Sequence, residues 1–372
     1  MHNDLPEKKQ TLTRLFLLPF TLIYGFITGV RNLLFDLKIL KEKEFSLPII
    51  SVGNITVGGT GKTPHIEYLI RILKDKFNVA VLSRGYKRNT KKFLLVSNRS
   101  TYNEVGDEPM QIQKKYPGIK VAVDRKRVNG VKNLINSFKN LDVILLDDAF
   151  QHRYVKPGLS ILLVDYSYPL KNDLILPAGR LRERSIERKR AHIIIVTKCP
   201  SDITPVEKER LKKELILFPS QHVFFTTINY EDLSPVFNKN EQIISCDHCK
   251  NEKYNLLLVT GIANPQPLKN HLQSYFDIIS EIHFPDHHAF NEKDIIKITS
   301  DFEKLPGNNK IILTTEKDAI RMQNFSNIAG FLAKVIYFIP IRVEFPGNQK
   351  DEFNRLIQYY VRENKRDNIL LT

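Results

Sequence analysis

"LPIISVGNITVGGTGKT" occupies residues 47–63. It nearly spells the phosphate-binding pattern G-x-x-x-x-G-K-[ST]. Gly61, Lys62 and Thr63 fit, while the leading position holds Thr56 in place of glycine. The apolar run at its start predicts a strand over 47–52, and the residues beyond it a helix over 63–76. Strand, glycine-rich loop and helix form the context that the pattern requires. Gly58, Gly59 and Gly61 let backbone N–H groups turn inward around phosphate oxygens. The candidate nucleotide site is therefore Thr56, Val57, Gly58, Gly59, Thr60, Gly61, Lys62 and Thr63. Lys62 supplies charge to the β- and γ-phosphates, and the Thr63 hydroxyl can ligate Mg²⁺. The helix N-terminus adds a favourable dipole, and Pro64 suits the first turn. A variant loop, K-G-G-x-G-K-T, carries a second lysine before its glycine pair. Val57 stands at that position, so the ATPases that use the extra lysine are a poor match.

Working outward, "NVAVLSRGY", "KVAVD", "LDVILLDD", "LSILLVDY" and "AHIIIVTK" are continuous runs of Val, Ile and Leu separated by helical stretches, among them 125–139. Continuous rather than alternating apolar runs mark strands buried on both faces of a mostly parallel sheet. Ligands of such sheets bind beyond the carboxyl ends of the strands. After about residue 230 Asn, Lys and Glu rise, and a second series follows: "NLLLVTGIANP", "DIISEIHFP", "KIILTTEKDAI" and "KVIYFIPIRVEF". The expected fold class is α/β: a P-loop NTPase-like, mostly parallel sheet with helices on both faces, a smaller C-terminal α/β domain, and an N-terminal membrane-associated helical segment. The expected boundaries are 1–42 for that segment, 43–232 for the core and 233–372 for the smaller domain.

The chain has 372 residues and a net charge of +15, which calls for an acidic partner: nucleic acid, anionic lipid or a phosphorylated substrate. Aromatic residues are sparse among the arginines of 180–190, which argues against nucleic acid. Nothing calls for an obligate protein partner. Of the three cysteines, Cys246 and Cys249 form one C-x-x-C and Cys199 stands alone. A structural zinc site commonly needs a second pair. His248 and His283 are the remaining metal-binding candidates, and reduced thiols are the plainer reading.

Residues 15–30, "LFLLPFTLIYGFITGV", are uncharged, but a spanning helix needs about 20 apolar residues. The segment is interrupted by Pro19, Gly25 and Gly29, and is followed by an amphipathic basic stretch. Residues 12–42 are therefore expected to form an interfacial anchor of one or two helices. Lys8, Lys9, Arg14, Arg31, Lys38, Lys41 and Lys43 would suit an anionic membrane surface.

A phosphate loop needs an acid at a strand end for the Mg²⁺ shell, and Asp147 and Asp148 close "LDVILLDD". The GTPase pattern D-x-x-G is absent, because Phe150 and Gln151 stand at the glycine positions. "TKCP", 197–200, lacks the acid that reads guanine. Both absences favour ATP. Three further clusters bear on the phosphate acceptor. "GDEP", 106–109, offers two carboxylates before a helix. "PAGRLRERSIERKR", 177–190, places Arg180, Arg182, Arg184, Arg188, Lys189 and Arg190 beside two Glu. "FPDHHAF", 284–290, holds an Asp and two His. Transfer to an alcohol wants a carboxylate to take the proton, sometimes a histidine to orient it, and cations around the transferred group. Singly, these clusters are equally a helix cap, a solvated helix face and a surface loop.

Taken in order, "VGNITVGGTGKTP", "SRGYKR", "VGDEP", "DDAFQHR", "LPAGRLRE", "FPDHHAF" and "TTEKDAIR" resemble the tetraacyldisaccharide 4'-kinase family of Gram-negative lipid A biosynthesis, from the apolar N-terminus to about residue 345. The resemblance implies transfer of the ATP γ-phosphate, with Mg²⁺, to the 4'-hydroxyl of an acylated glucosamine disaccharide 1-phosphate. It implies a place at the cytoplasmic face of the bacterial inner membrane, peripheral or monotopic. It implies Asp107 as base, His287 assisting it, Arg182 near the phosphates, and Asp147, Asp148 and Glu183 as metal-site residues beside Thr63. Two positions depart from the family pattern: Ala149 where Gly is common, and Arg184 where Pro is common. The rival reading is a membrane-associated P-loop ATPase that switches a partner protein. It would keep the loop and the acids and need no sugar pocket.

Overall fold

The structure is a computed structural model that describes residues 7–170, 173–237, 242–276, 279–323, 325 and 330–369. The opening stretch forms strand β1 (Ile49–Gly53), a loop, and the helix Lys62–Leu73. The other apolar runs become β2 (Val79–Ser83), β4 (Lys120–Val123), β5 (Val143–Asp147), β6 (Leu159–Asp165) and β7 (Ile193–Thr197). Two shorter strands, β3 (Leu94–Leu95) and β8 (His222–Phe225), close the edges. The sheet order is β3-β4-β2-β5-β1-β6-β7-β8, parallel throughout except for β3 against β4.

Both faces of this sheet are covered, which explains the continuous apolar runs. Ile50 and Val52 of β1 face a layer containing Ile66, Leu69 and Leu73 of the helix Lys62–Leu73. Ile49 faces the opposite layer with Val131 and Leu134 of the helix Arg127–Ser137. A P-loop-type α/β core results, with the carboxyl ends of its strands gathered on one rim.

Beyond it come β9 (Thr227–Tyr230), β10 (Ser234–Pro235), β11 (Asn255–Thr260), β12 (Ile279–His283), β13 (Lys310–Thr315), β14 (Ile336–Ile339) and β15 (Ile341–Glu344). The second sheet runs β10-β14-β13-β11-β12 and has its own core around Leu257, Val259 and Ile312. "KVIYFIPIRVEF" looks like one strand but serves two sheets. It breaks at Pro340, which has no N–H to continue a ladder. β14 stays in the second sheet, whereas β15 pairs antiparallel with β9. The chain then returns to the larger unit. Phe353, Ile357 and Val361 of the helix Gln349–Ile369, spaced four apart on one face, are buried in its core. A division at 232/233 therefore leaves the last segment of the chain packed on the first unit.

The N-terminal segment is a single helix, Glu7–Asp36, with Pro19 inside it. One face is turned to the protein. Tyr24 Oη donates to Arg182 O at 3.1 Å, and Thr21 Oγ1 accepts from Ala178 N at 3.0 Å. The opposite face leaves Phe16, Leu22, Ile23, Phe26, Ile27 and Leu33 exposed. Arg31, counted above among the headgroup cations, turns inward and donates to Gln151 O at 2.9 Å.

Candidate active site

The phosphate loop is held open from beneath. β1 ends in Gly53, where a Cβ would lie 2.7 Å from that of Phe150, so glycine lets the loop and the turn after β5 close on each other. Gly58 and Gly61 have φ of +107° and +84°, values that glycine adopts freely. Asn54 Nδ2 donates to Thr60 Oγ1 at 2.9 Å, and Thr197 Oγ1 donates to Thr60 O at 3.0 Å. His65 Nδ1 lies 2.7 Å from Gly61 O, and burial holds this imidazole down to about 4. Its neutral ring therefore donates to that carbonyl. Thr56 explains the missing glycine. It is extended and bridges antiparallel to Leu181, flanked by Val57 N donating to Arg180 O and Arg182 N donating to Ile55 O. Any residue can take that conformation.

At the end of β5 the two aspartates part. Asp148 has a left-handed φ of 45° and sits 3.7 Å from Lys62 Nζ and 3.2 Å from Arg182 Nη1. Burial opposes its charge, but Lys62 and Arg182 outweigh burial and hold its carboxyl below the usual range. Asp147 is 1% exposed. Ser83 Oγ donates to its Oδ2 at 3.0 Å, while Oδ1 is buried without a hydrogen-bond partner. Burial, then the charges of Glu108 and Asp148, push the Asp147 carboxyl up. An orphaned carboxylate oxygen at a strand end, next to a second carboxylate that faces the phosphate-loop lysine, suits a hard divalent cation, which would ionise it.

Glu183 lies elsewhere. It accepts from Asn32 Nδ2 at 3.2 Å and pairs with Arg190, while Oε1 is buried without a partner. Leu181 bridges Thr56 and Ile175 at the centre of this short stretch, and the side chains that follow it part. Arg182 thus reaches Asp148 while Glu183 meets the N-terminal helix. Among the described residues no three acidic, histidine or cysteine side chains form a metal cluster, so Asp147, Asp148 and Glu183 are not brought together. His152, near Arg127 and Arg84, is held down to about 4 by burial and those charges.

Asp107 opens the helix Asp107–Lys115. Gly106 before it has φ of +96°, and a Cβ there would lie 3.1 Å from Gly85 Cα, so two glycines let the "SRGYKR" and "VGDEP" loops touch. The buried Asp107 Oδ2 accepts from Arg321 Nη2 at 2.5 Å and from His287 Nδ1 at 2.9 Å. His287 comes from the second unit, with a left-handed φ of 59°, and its ring packs 5.2 Å from that of Tyr86. Glu108 pairs with Lys317 at 2.5 Å. Burial works against a charge on Asp107, but the His287 hydrogen bond and the charges of Lys317 and Arg321 prevail and hold its carboxyl well below the usual range. It is a permanently ionised acceptor at neutral pH. The charge of Glu108 is felt at Asp147, which links this cluster to the phosphate loop.

Lys317 and Arg321 carry no role in the sequence reading, although "TTEKDAIR" stands among its motifs. Thr315 caps the helix Glu316–Met322 by accepting from Asp318 N, and the buried Asp318 holds Arg321 Nη1 at 2.7 Å. Arg321 is only 2% exposed and faces two buried aspartates. Arg321→Met is expected to cost about 3–5 kcal/mol of stability, the size typical of removing one partner of a buried ion pair. Urea unfolding measures it, and a loss below about 1 kcal/mol would show that these aspartates find other partners.

The family model for tetraacyldisaccharide-1-P 4'-kinase (LpxK) matches residues 13–362. A tetraacyldisaccharide 4'-kinase of Bacteroides thetaiotaomicron is 47% identical over 361 residues, covering 95% of this chain and 94% of the relative. That of Phocaeicola vulgatus is 48% identical over 354 residues, covering 95% and 96%. Among solved structures, the crystal structure of LpxK from Aquifex aeolicus in complex with ATP is similar with a TM-score of 0.73 and 30% identity, over 94% of this chain and 99% of that one.

Proposed function

The chain belongs to the tetraacyldisaccharide 4'-kinase family, and from that premise we propose which residues carry its reaction. The protein is an ATP-dependent kinase of lipid A biosynthesis, acting on the 4'-hydroxyl of tetraacyldisaccharide 1-phosphate with Mg²⁺. The loop amides of 56–61 and Lys62 bind the β- and γ-phosphates. Thr63, Asp147 and Asp148 would hold Mg²⁺, which would supply positive charge against the phosphates. Arg182, within reach of Asp148 and Lys62 through their shared contacts, adds a cation where charge builds on the transferred group. Asp107 accepts the proton of the sugar hydroxyl and His287 orients it. Arg321 and Lys317 keep it ionised. A carboxylate held this acidic is a weak base, which suffices because a loose phosphoryl transition state asks for little early proton removal. Glu183 is better placed to fasten the catalytic loop to the N-terminal helix than to meet the cation.

The observation that carries this reading is the buried Asp107 carboxylate, which Arg321 and His287 of the second unit both bond. Incubation with γ-labelled Mg-ATP and the lipid disaccharide tests it. Label is expected at the 4' position, and protein that never labels the lipid overturns it.

The exposed apolar face of the helix Glu7–Asp36 supports association with a membrane, with the cytoplasmic, anionic leaflet as its surface. Ile23→Asp combined with Phe26→Asp leaves the protein-facing side intact. The pair should weaken co-sedimentation with anionic vesicles by at least about tenfold, since each buried side chain contributes roughly 1.5–3 kcal/mol. Unchanged sedimentation would remove this face as the anchor.

A further inference from the structure

The three helices that carry the reacting groups meet a second time, roughly 12 Å behind the reaction centre at 1.5 Å per residue. The helix Asp107–Lys115 begins with the base and ends with Lys115, and Gln111 lies midway, so all three share one face. Lys115 Nζ lies 2.8 Å from Glu67 Oε2 and 2.9 Å from Glu316 Oε1. Gln111 Nε2 donates to the other oxygen of Glu67 at 2.8 Å. Glu67 is 1% exposed and stands four residues after Thr63 on the phosphate-loop helix. Glu316 opens the second-unit helix that supplies Lys317 and Arg321 to Glu108 and Asp107. The base helix is thus fastened at its first turn by Arg321 and Lys317, and at its last by Lys115.

A buried ion-pair cluster is weak evidence for stability, since well-packed apolar side chains often serve as well or better. Its use is register. We propose that Lys115, with Glu67 and Glu316, forms a positioning joint that sets the distance between the phosphate-loop helix and the base helix, so that the γ-phosphate and the ionised Asp107 meet the same hydroxyl. Lys115 is engaged by Glu67 and Glu316, so the three act through the helices that carry them. Burial and the charge of Glu67 raise the Glu316 carboxyl, and Lys115 opposes them, so losing the ammonium leaves two carboxyls in mutual repulsion at the junction. The inference rests on Asp107 as base and on Lys62 and Thr63 as the phosphate side.

The test uses the full-length protein with Mg-ATP and lipid acceptor in mixed micelles. Lys115→Met keeps the stem and removes the charge. It should lower kcat at least about tenfold with KM for ATP changed less than about twofold, since misplacement by about 1 Å costs up to about a hundredfold in rate. Lys115→Arg should recover most of the loss, because a guanidinium can still bridge two carboxylates. The triple variant Glu67→Leu, Lys115→Met, Glu316→Leu separates position from folding: it should melt at or above the parent temperature yet stay slow. Lys115→Met with normal kcat overturns the joint, as does a triple variant with normal kcat. Should Lys115→Met not fold, the arginine and triple variants decide by the same readings. A normal Asp107→Asn would remove the underlying assignment, whereas an inactive Asp107→Asn with a normal Lys115→Met removes the joint alone.

Discussion

Asp107→Ala is expected to lower kcat by at least about a hundredfold, the usual size of general-base loss. The alanine variant alone would be ambiguous. It leaves Arg321 with Asp318 as its one remaining carboxylate among the described residues and takes a partner from His287, so part of the loss would be structural. Asp107→Asn retains the volume and one acceptor oxygen while removing the charge. It should be nearly as slow, with KM for ATP close to the parent because the phosphate loop is untouched. Turnover within a factor of a few of the parent for the asparagine variant would take the base role from Asp107. Stability gives an independent reading. A carboxyl held low in the folded state stabilises above its unfolded value of about 3.9, and that contribution disappears as the pH falls through its lower folded value. The asparagine variant should therefore show a flatter acid limb in urea unfolding.

Lys62→Ala is expected to cost about a hundred- to a thousandfold in kcat, the range seen when one preorganised transition-state contact is removed. Its folding should survive. Lys62 sits 3.7 Å from Asp148, which keeps Arg182 at 3.2 Å when the lysine is gone. The Asn54–Thr60 and Thr197–Thr60 hydrogen bonds that shape the loop do not involve Lys62. A variant that melts like the parent and still transfers phosphate at the parent rate would undo the assignment of 56–63 as the nucleotide site.

The larger sheet was legible because parallel strands buried on both faces leave unbroken Val, Ile and Leu runs, and the phosphate loop because glycine, lysine and threonine must follow such a strand at fixed spacing. The break at Pro340 was visible in principle, since proline cannot donate to a ladder. What lay beyond it was not. Which sheet β15 joins depends on β9, more than a hundred residues earlier. The same holds within the site. Arg321, Lys317 and Lys115 are polar residues on short helices, and their importance comes from Asp107, Glu108 and Glu316, roughly 200 residues away along the chain. No local periodicity records such a pairing. Glu183 adjoins Arg182 in sequence, yet Arg182 pairs with Asp148 and Glu183 with Arg190, a parting that sequence adjacency does not record.

The return of the chain after β14 also bears on its synthesis. The core of the larger unit is finished by Val343, Phe345, Phe353, Ile357 and Val361, the same layer that Ile50 and Val52 enter near the start. A nascent chain emerging from the ribosome therefore makes the phosphate loop early but, once β8 ends at Phe225, must hold one apolar layer open until Phe353 follows about 130 residues later, roughly 7–26 s at ~5–20 residues per second. Throughout that interval the side chains awaiting Phe353 and Ile357 are surface. The larger unit is thus the first to begin folding and the last to finish, and the unfinished layer is where a chaperone would find its hold.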